Sequence, residues 1–194
     1  KMAFVFKEDV GDLITSIADS GEYIPERQAL QFFPTPESLA REIVEIADIR
    51  QGESTLEPSA GQGNIAQFMP SPDCIELDSK NRAILEEQGF RVVGEDFLKF
   101  TSSASYDVIV MNPPFCKRQD ALHILKAISM ANRKVVAIAS QAVMWRTDGP
   151  YKMLRDAVAH YGGYIRKLPD KSFKEAGTMV NTALVVIDKT KPLL

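Results

Sequence analysis

Short apolar runs rich in β-branched residues alternate with segments of helical periodicity along most of this 194-residue chain. Strands are predicted near residues 54–57, 73–77, 90–94, 107–111, 134–140, 163–168 and 181–188. Helices are predicted near residues 36–49, 63–69, 79–88, 119–131 and 150–161. Such alternation is typical of a mostly parallel sheet with helices on both faces. The last strand follows a long loop without a crossover helix, so we expect it to insert antiparallel.

Residues 1–30 are expected to form an N-terminal helical extension that precedes the sheet. We assign residues 31–194 to one α/β domain, because no linker, internal repeat or low-complexity segment divides them. The chain stops soon after its last predicted strand, so no separate further domain is expected.

Composition excludes several classes of protein. No apolar stretch is long enough to span a bilayer and no signal peptide is visible, which together with few cysteines predicts a cytoplasmic protein. Cys74 and Cys116 lack the spacing of a zinc site, so no metal is expected. The net charge of −3 argues against a chain that coats nucleic acid by charge alone, but it leaves room for a local basic face.

The segment Asn112-Pro113-Pro114-Phe115 directly follows a predicted buried strand. Open α/β sheets bind their ligands at the carboxyl ends of strands, where this segment lies. The two prolines stiffen the turn and lack N–H donors, so the carbonyls of Asn112 and Pro113 remain able to accept hydrogen bonds. Phe115 adds a flat apolar face. This combination suits a planar ring with an exocyclic amine, which donates to Asn112 and a backbone carbonyl while the ring stacks on Phe115.

A glycine-containing turn, Glu57 to Gly63, follows the first predicted strand and opens a helix. Gly61 and Gly63 allow the backbone to bend sharply and approach a ligand closely. The pattern is neither G-x-G-x-x-G nor a phosphate loop, so pyrophosphate is not the expected ligand. Glu57 is placed to receive an ammonium group, and the backbone donors of the next helix would face a carboxylate. An amino-acid-like end of a cofactor fits both; a simple strand-to-helix turn is the alternative.

Acidic residues end the next two predicted strands. Glu76 and Asp78, roughly twenty residues after the glycine turn, are both placed to hold ribose hydroxyls. Glu76 is preferred, because Asp78 also suits a helix N-terminus. Asp96 is placed to accept from an adenine amino group, with Phe97 packed on that ring; an Asx turn over a core phenylalanine is the alternative.

The loop over residues 169–180 is the longest irregular stretch after the core begins. Its Phe173 would stack on an extruded base, or else would anchor the loop to the core. Basic residues are expected around the Asn-Pro-Pro-Phe turn, among them Lys117 and Arg118, either facing a polyanion or as ordinary solvated charges.

Three further residues are predicted to be structural rather than functional. Tyr106 and Trp145 are expected to pack in the interior. His123 lies in a predicted helix without the partners of a catalytic triad or a metal site.

Taken together, these segments resemble the S-adenosylmethionine-dependent amino-methyltransferases, and most closely the DNA adenine-N6 methyltransferases. The resemblance covers about residues 31–188. Asn112 to Phe115 resembles their catalytic turn in its Phe-ending form, and Phe173 with Gly177-Thr178 resembles the late loop that supports the flipped base. Phe33-Pro34-Thr35-Pro36 resembles their entry segment beside the methionine end of the cofactor.

The resemblance implies a single Rossmann-like class I methyltransferase domain with a mostly parallel seven-stranded sheet whose last strand is antiparallel. It also implies S-adenosyl-L-methionine as cofactor, held by residues of the entry segment and of the strand ends: Phe33, Thr35, Glu57, Ser59, Ala60, Gly61, Gly63, Glu76, Asp96, Phe97 and Asn112. The implied reaction is direct in-line transfer of a methyl group to the N6 amine of a flipped-out adenine in DNA. The implied catalytic residues are Asn112, Pro113, Pro114 and Phe115, and the implied substrate-binding residues are Phe115, Phe173, Lys117 and Arg118.

Other substrates stay open at this point. The catalytic turn alone also occurs in enzymes that methylate adenine-N6 or guanine-N2 in RNA, or glutamine in proteins, and a cofactor-binding subunit of a larger complex would carry it too. The family usually has a separate target-recognition region, for which residues 1–30 are too short. Sequence specificity is therefore expected to be weak, or to come from loops or from a specificity subunit. Restriction-modification, phage protection and regulation are all compatible roles.

Overall fold

The computed structural model describes residues 33–102, 105–147, 149–170, 172–173 and 180–190. These residues belong to one unit, Phe33–Leu194. The helical extension expected over residues 1–30 lies outside the described residues, as does most of the loop that precedes the last strand. None of the helices in the described part of the chain is both long enough and apolar enough to cross a membrane.

A seven-stranded sheet forms the centre of the molecule, with the order β3-β2-β1-β4-β5-β7-β6. Its strands are β1 (Thr55–Glu57), β2 (Asp73–Ile75), β3 (Arg91–Gly94), β4 (Tyr106–Met111), β5 (Ala131–Ser140), β6 (Tyr164–Lys167) and β7 (Thr182–Asp188). β1 to β5 pair in parallel, whereas β7 runs antiparallel to both β5 and β6. The predicted α/β class, the seven strands and the antiparallel insertion of the last strand are therefore confirmed.

Helices cover both faces of this sheet. The described α-helices are α1 (Glu37–Ala47), α2 (Ser79–Glu87), α3 (Gln119–Met130) and α4 (Gly149–His160). Short 3₁₀ turns occupy Ala66–Phe68, Cys116–Arg118 and Gln141–Met144. The helix predicted over residues 63–69 is thus reduced to a single 3₁₀ turn, because the glycines before it adopt positive φ angles instead of helical ones.

The sheet separates two hydrophobic cores. Ile109 packs with α3 and α4 on one face, whereas its neighbour Val110 packs with α1 on the other. Successive strand residues point to opposite faces, so a strand covered on both sides has no polar alternation. This explains why β4 and β5 read as nearly continuous apolar runs in the sequence.

The strand order reverses between β1 and β4, which are neighbours although β2 and β3 separate them in the chain. Such a switch point opens a crevice beyond the carboxyl ends of the strands, where ligands bind in open α/β sheets. The segments singled out in the sequence after β1, β2, β3 and β4 all lie at this edge.

Candidate active site

Asn112 directly follows β4, and its side-chain amide is held in one orientation. Nδ2 donates to the backbone carbonyl of Phe33 at 3.2 Å and to Oγ1 of Thr35 at 3.0 Å. Because a carbonyl only accepts, the nitrogen faces Phe33 and the amide oxygen is turned the other way. That oxygen, Oδ1, is buried and has no hydrogen-bond partner. The turn after β4 therefore holds a fixed acceptor that a bound donor would satisfy.

Glu57 ends the neighbouring strand β1 and is only 1% exposed. The backbone N–H of Ala66 donates to its carboxyl group, yet Oε2 is buried without a partner. Burial raises the pKa of this carboxyl well above its usual range, and the charge of Glu76 acts in the same direction. β1 pairs directly with β4, Leu56 opposite Ile109. Two buried acceptors without partners thus lie on adjacent strands at the same edge of the sheet.

The turn after β1 has the backbone geometry that its glycines predict. Gly61 and Gly63 have φ angles of +54° and +83°. The N–H of Ala60 donates to the carbonyl of Ile75 at 3.0 Å, which fixes the turn to the end of β2. Ala60 is buried and Ser59 half-buried. The turn is thus held between the ends of β1 and β2, beside the switch point between β1 and β4.

Glu76 follows β2 and links two of the predicted cofactor segments. Its Oε2 accepts from the N–H of Gly61 at 2.7 Å, and its Oε1 accepts from the N–H of Asp78 at 2.8 Å. Asp78 instead caps α2, accepting from the backbone N–H groups of Lys80 and Asn81. The structure therefore assigns Asp78 to the helix terminus, the alternative that the sequence had suggested for it.

Phe97 does not have the exposed position that packing on an adenine ring requires. It is 2% exposed and packs in the core beside His123, with ring centroids 5.6 Å apart. The N–H of Leu98 donates to Oδ1 of Asp96 at 2.9 Å, which is the Asx turn given as the alternative. The expectation that Phe97 offers a face to a ligand is wrong in this structure, because the turn directs its ring inward.

Leu77 offers an apolar face that the sequence pattern alone does not single out. It follows Glu76 at the end of β2 and is 61% exposed, which is unusual for a leucine beside a buried strand. The signal in the sequence is an apolar residue between two acidic ones at a strand end. Its position beside Glu76 suits a planar ring attached to a ribose.

The aromatic residues expected to sandwich a base differ in exposure. Phe115 is half-buried and packs on the core cluster that also contains Leu168 and Phe173. Phe173 itself is 1% exposed. The expectation that its ring is open to a base is therefore not met, and the alternative of a loop anchor fits the structure. Pro113 is buried and Pro114 half-buried.

Lys117 and Arg118 follow the Asn112–Phe115 turn in a strained backbone conformation. Their φ angles are +49° and +64°, which lie in the left-handed region that non-glycine residues rarely adopt. Lys117 is exposed and Arg118 half-buried. Backbone strain of this kind persists where the surrounding structure imposes it and is common at functional sites.

The three residues predicted to be structural have different environments. Tyr106 is buried and donates to Oδ2 of Asp73 at 2.8 Å, which confirms its packing role. His123 is buried with Nδ1 2.8 Å from the carbonyl of Gln119, and burial lowers the pKa of its imidazole. Trp145, in contrast, is 60% exposed, so the prediction that it packs in the interior is wrong. No cluster of three or more metal-ligating side chains occurs among the described residues.

No protein-family model matches the chain, and no curated protein matches its sequence. Solved structures nevertheless share its architecture. The methyltransferase subunit of a type I restriction-modification system from Streptococcus thermophilus aligns with a TM-score of 0.67 at 15% identity, over 82% of this chain and 45% of that one. The chain thus spans about half the length of that subunit.

Two other solved structures have comparable similarity. A dimethyladenosine transferase from Plasmodium falciparum aligns with a TM-score of 0.61 at 20% identity, over 81% of this chain and 64% of that one. A putative class I S-adenosylmethionine-dependent methyltransferase from Listeria monocytogenes aligns with a TM-score of 0.63 at 13% identity, over 93% of this chain and 67% of that one. The strand order and these similarities show that the chain has the Rossmann-like fold of class I methyltransferases.

Proposed function

We propose that this chain transfers a methyl group from S-adenosyl-L-methionine to the N6 amine of adenine in DNA. The observation that carries the proposal is the buried Oδ1 of Asn112, an acceptor without a partner whose direction is set by Phe33 and Thr35. It lies at the carboxyl end of β4, in the turn whose sequence resembles that of the adenine-N6 enzymes. An exocyclic amine would supply the donor that this oxygen lacks.

The residues around the crevice fit the proposed cofactor. Glu57 has a buried carboxyl oxygen without a partner, which an ammonium group would satisfy. Each carboxyl oxygen of Glu76 accepts a backbone hydrogen bond, and its remaining lone pairs suit ribose hydroxyls. Exposed Leu77 takes over the apolar contact with adenine that was expected of Phe97. When bound, S-adenosylmethionine supplies an electrophilic methyl group on a sulfonium.

The part played by the protein in the proposed reaction is electrostatic and geometric. The lone pair of the N6 amine is conjugated into the ring, which makes the amine a poor nucleophile. Asn112 Oδ1 and the carbonyl of Pro113 would accept its two hydrogens and so favour the positive charge that develops at nitrogen as the bond between methyl and sulfur breaks. The extra proton on nitrogen would pass to solvent, and a neutral thioether would remain of the cofactor. Because Oδ1 is oriented before any substrate binds, little reorganisation accompanies the reaction.

Adenine must leave the base stack to reach this acceptor, at a cost of a few kcal/mol. Phe115 is half-buried beside the turn, and its ring is proposed to stack on the extruded base. Lys117 and Arg118 come next in the chain and are proposed to contact the phosphates of the flipped strand.

The test is transfer of labelled methyl groups from S-adenosylmethionine to unmethylated DNA, followed by digestion and identification of the labelled nucleoside. N6-methyladenine is the expected product. Label in a different nucleoside, or no label on DNA although the cofactor binds, would contradict the proposal.

A second candidate is methylation of adenine N6 in RNA. It is favoured by one observation, the similarity to a dimethyladenosine transferase with a TM-score close to that of the restriction-modification subunit. The same assay run in parallel on unmethylated structured RNA separates the two, because label would appear in N6-methyladenosine rather than in the deoxynucleoside.

Target recognition is proposed to depend on a partner, in a restriction-modification system. Support comes from the similarity to a protein that is itself named as a subunit of such a system. Size analysis of the chain mixed with candidate specificity subunits tests this. The proposal would be contradicted if the chain elutes at its own size in every mixture and nevertheless methylates DNA at selected sequences.

A further inference from the structure

Trp145 lies on the loop that follows β5, the strand beside β4 on the side away from the cofactor segments. Met111 at the end of β4 pairs with Ala137, and β5 continues to Ser140. Three further residues of extended chain correspond to about 10 Å, so β5 extends beyond the level at which β4 ends and the Asn112–Phe115 turn begins. The loop after it therefore begins at the same edge of the sheet as the turn that starts at Asn112.

The exposure of Trp145 is unusual for a residue of its type. Its side chain is 60% exposed, and the preceding Met144 is 42% exposed. Indole is the largest apolar side chain and stabilises a protein most when it is buried. A tryptophan presented to solvent together with a second large apolar residue is typical of an interaction site.

The segment that carries Trp145 is firmly held. Its backbone N–H donates to the carbonyl of Ala142 at 3.2 Å, and Val143 between them is fully buried. The guanidinium of Arg155 on α4 donates to the carbonyl of Val143 at 2.8 Å. An exposed aromatic ring on a fixed backbone binds a partner at a low cost in conformational entropy.

The same segment is connected to the helix that follows the catalytic turn. The N–H of Ser140 donates to Oδ2 of Asp120 at 2.9 Å, and the hydroxyl of Tyr151 donates to Oδ1 of the same residue at 3.1 Å. Asp120 is fully buried in the first turn of α3. This carboxyl therefore fixes the loop after β5 relative to the segment that begins at Asn112.

Basic side chains lie on the segments next to Trp145. Lys117 and Arg146 are exposed, and a guanidinium nitrogen of Arg118 lies 3.9 Å from the position that a Cβ on Gly149 would occupy, at the start of α4. The carboxylate of Asp120 lies close to this segment, but it is fully buried and accepts hydrogen bonds from Ser140 and Tyr151; Asp148 lies outside the described residues. Aromatic rings interleaved with cations are the pattern by which proteins hold unstacked nucleic-acid strands.

We propose that Trp145 stacks on a base of the DNA strand adjacent to the target adenine, and so positions the opened strand over the catalytic turn. This inference rests on the proposed function, because it takes DNA as the substrate. Trp145 acts as a positioning residue and does not contact the reacting atoms. Met144 extends the apolar surface on which the neighbouring nucleotide lies.

The chain contains a single tryptophan, so its fluorescence reports on Trp145 alone. The probe is a short unmethylated DNA strand of mixed sequence that contains adenine, added with and without S-adenosylmethionine. Stacking is expected to quench the emission and to protect the indole from acrylamide. N-acetyltryptophanamide in the same DNA solutions controls for absorption by the DNA.

Variants test whether the contact contributes to binding. Trp145→Ala should weaken DNA binding roughly 5- to 150-fold, which corresponds to the ~1–3 kcal/mol of one base–aromatic stack. Trp145→Phe should retain most of the affinity, because it keeps a ring. Tyr164→Ala is the matched control: Tyr164 is also an exposed aromatic, but lies at the start of β6, two strands beyond β5, and its loss should leave affinity unchanged. Cofactor affinity should be unchanged in all three variants.

Three outcomes would each overturn the inference. The first is unchanged tryptophan emission while dye-labelled DNA binds, and the second is that Trp145→Ala binds DNA as tightly as the unaltered chain. The third is that the unaltered chain does not bind DNA. The outcomes are separable from those of the proposed function. If the chain methylates DNA and Trp145→Ala does not change its affinity for DNA, only the stacking role of Trp145 is contradicted. Quenching and a loss of affinity without methyl transfer would support the DNA surface while contradicting the proposed reaction.

Discussion

The amide nitrogen of Asn112 donates to the hydroxyl oxygen of Thr35 at 3.0 Å, across seventy-seven positions of the chain. This bond joins the segment before α1 to the turn after β4 and, with the Phe33 carbonyl, determines which way the amide oxygen points. Thr35 is buried, so water does not replace the contact easily. The orientation of the proposed catalytic acceptor therefore depends on a residue far from it in sequence.

Replacement of Asn112 by alanine should abolish methyl transfer, because it removes the acceptor for the target amine. Loss of a fixed transition-state hydrogen bond lowers kcat by about 10²- to 10³-fold. Cofactor affinity, measured by calorimetry on the same protein, should stay nearly unchanged. A loss of cofactor binding in this variant would contradict the assigned role.

Thr35→Val should lower kcat by roughly 5- to 30-fold, the equivalent of about 1–2 kcal/mol for a weakened buried hydrogen bond. Valine has nearly the shape of threonine but cannot accept from Asn112. Thr35→Ser keeps the hydroxyl and is the matched control, with activity close to that of the unaltered chain. If Thr35→Val instead weakened cofactor binding at unchanged kcat, Thr35 would be a cofactor ligand and not a positioning residue.

Glu57→Gln should remove a pH dependence of cofactor binding. Burial raises the pKa of Glu57, so the carboxyl must lose its proton before it can pair with an ammonium group. Affinity of the unaltered chain should therefore rise with pH through the raised pKa, with protons released on binding. The glutamine variant should bind at least about tenfold more weakly at high pH, with a flatter profile. Calorimetry in buffers of different ionisation enthalpy measures both effects.

The same carboxyl gives a stability prediction of opposite sign. The folded state holds the Glu57 proton more tightly than the unfolded chain, whose pKa is near 4.5. The contribution of Glu57 to the free energy of unfolding is thus fully present at low pH and is lost as pH rises from 4.5 towards the raised pKa. Glu57→Gln should raise the midpoint of urea unfolding near neutral pH relative to the unaltered chain. A lowered midpoint would show that the ionised carboxyl has a stabilising partner.

Gly63→Ala and Gly52→Ala form a matched pair that separates backbone strain from crowding. Their φ angles are +83° and +85°, but a Cβ on Gly63 would lie 3.0 Å from the ring of Phe90, whereas nothing lies within 4 Å of one on Gly52. Gly52→Ala should lower the free energy of unfolding by about 1–2 kcal/mol, the cost of the left-handed conformation. Gly63→Ala should cost more and should also weaken cofactor binding. Equal losses would show that Phe90 moves aside freely.

Sequence periodicity predicted the sheet of this protein closely because each strand is either buried on both faces or bounded by clear turn residues. β4 and β5, for example, begin within three residues of their predicted positions. Once the strands were predicted, the positions of Glu57, Glu76 and Asn112 at one edge of the sheet were predicted as well. The reason is that the residues at the carboxyl ends of parallel strands share that edge. What failed was the direction of individual side chains.

Side-chain direction is set by turn geometry that the sequence does not determine uniquely. The Asx turn at Asp96 accompanies a ring of Phe97 that is buried in the core, whereas Leu77 is exposed. Trp145 is a large, mainly apolar residue of the kind that usually packs in a core. In the 3₁₀ turn after β5, however, Val143 is the residue that is buried, and Trp145 is exposed. Both errors concern which of several apolar residues in a short irregular segment faces inward, a choice made by tertiary packing.

Two replacements of Phe173 distinguish packing from base stacking. The ring is buried with Leu168 in the core face covered by α1, so Phe173→Ala should lower the free energy of unfolding by about 3–5 kcal/mol. Phe173→Leu keeps apolar volume and should cost only about 1 kcal/mol. If packing is its role, the leucine variant should bind and methylate DNA like the unaltered chain under conditions where both are folded. A stable Phe173→Leu protein that has lost affinity for DNA with an abasic position opposite the target adenine would mean that the loop opens during the reaction and places this ring against the base.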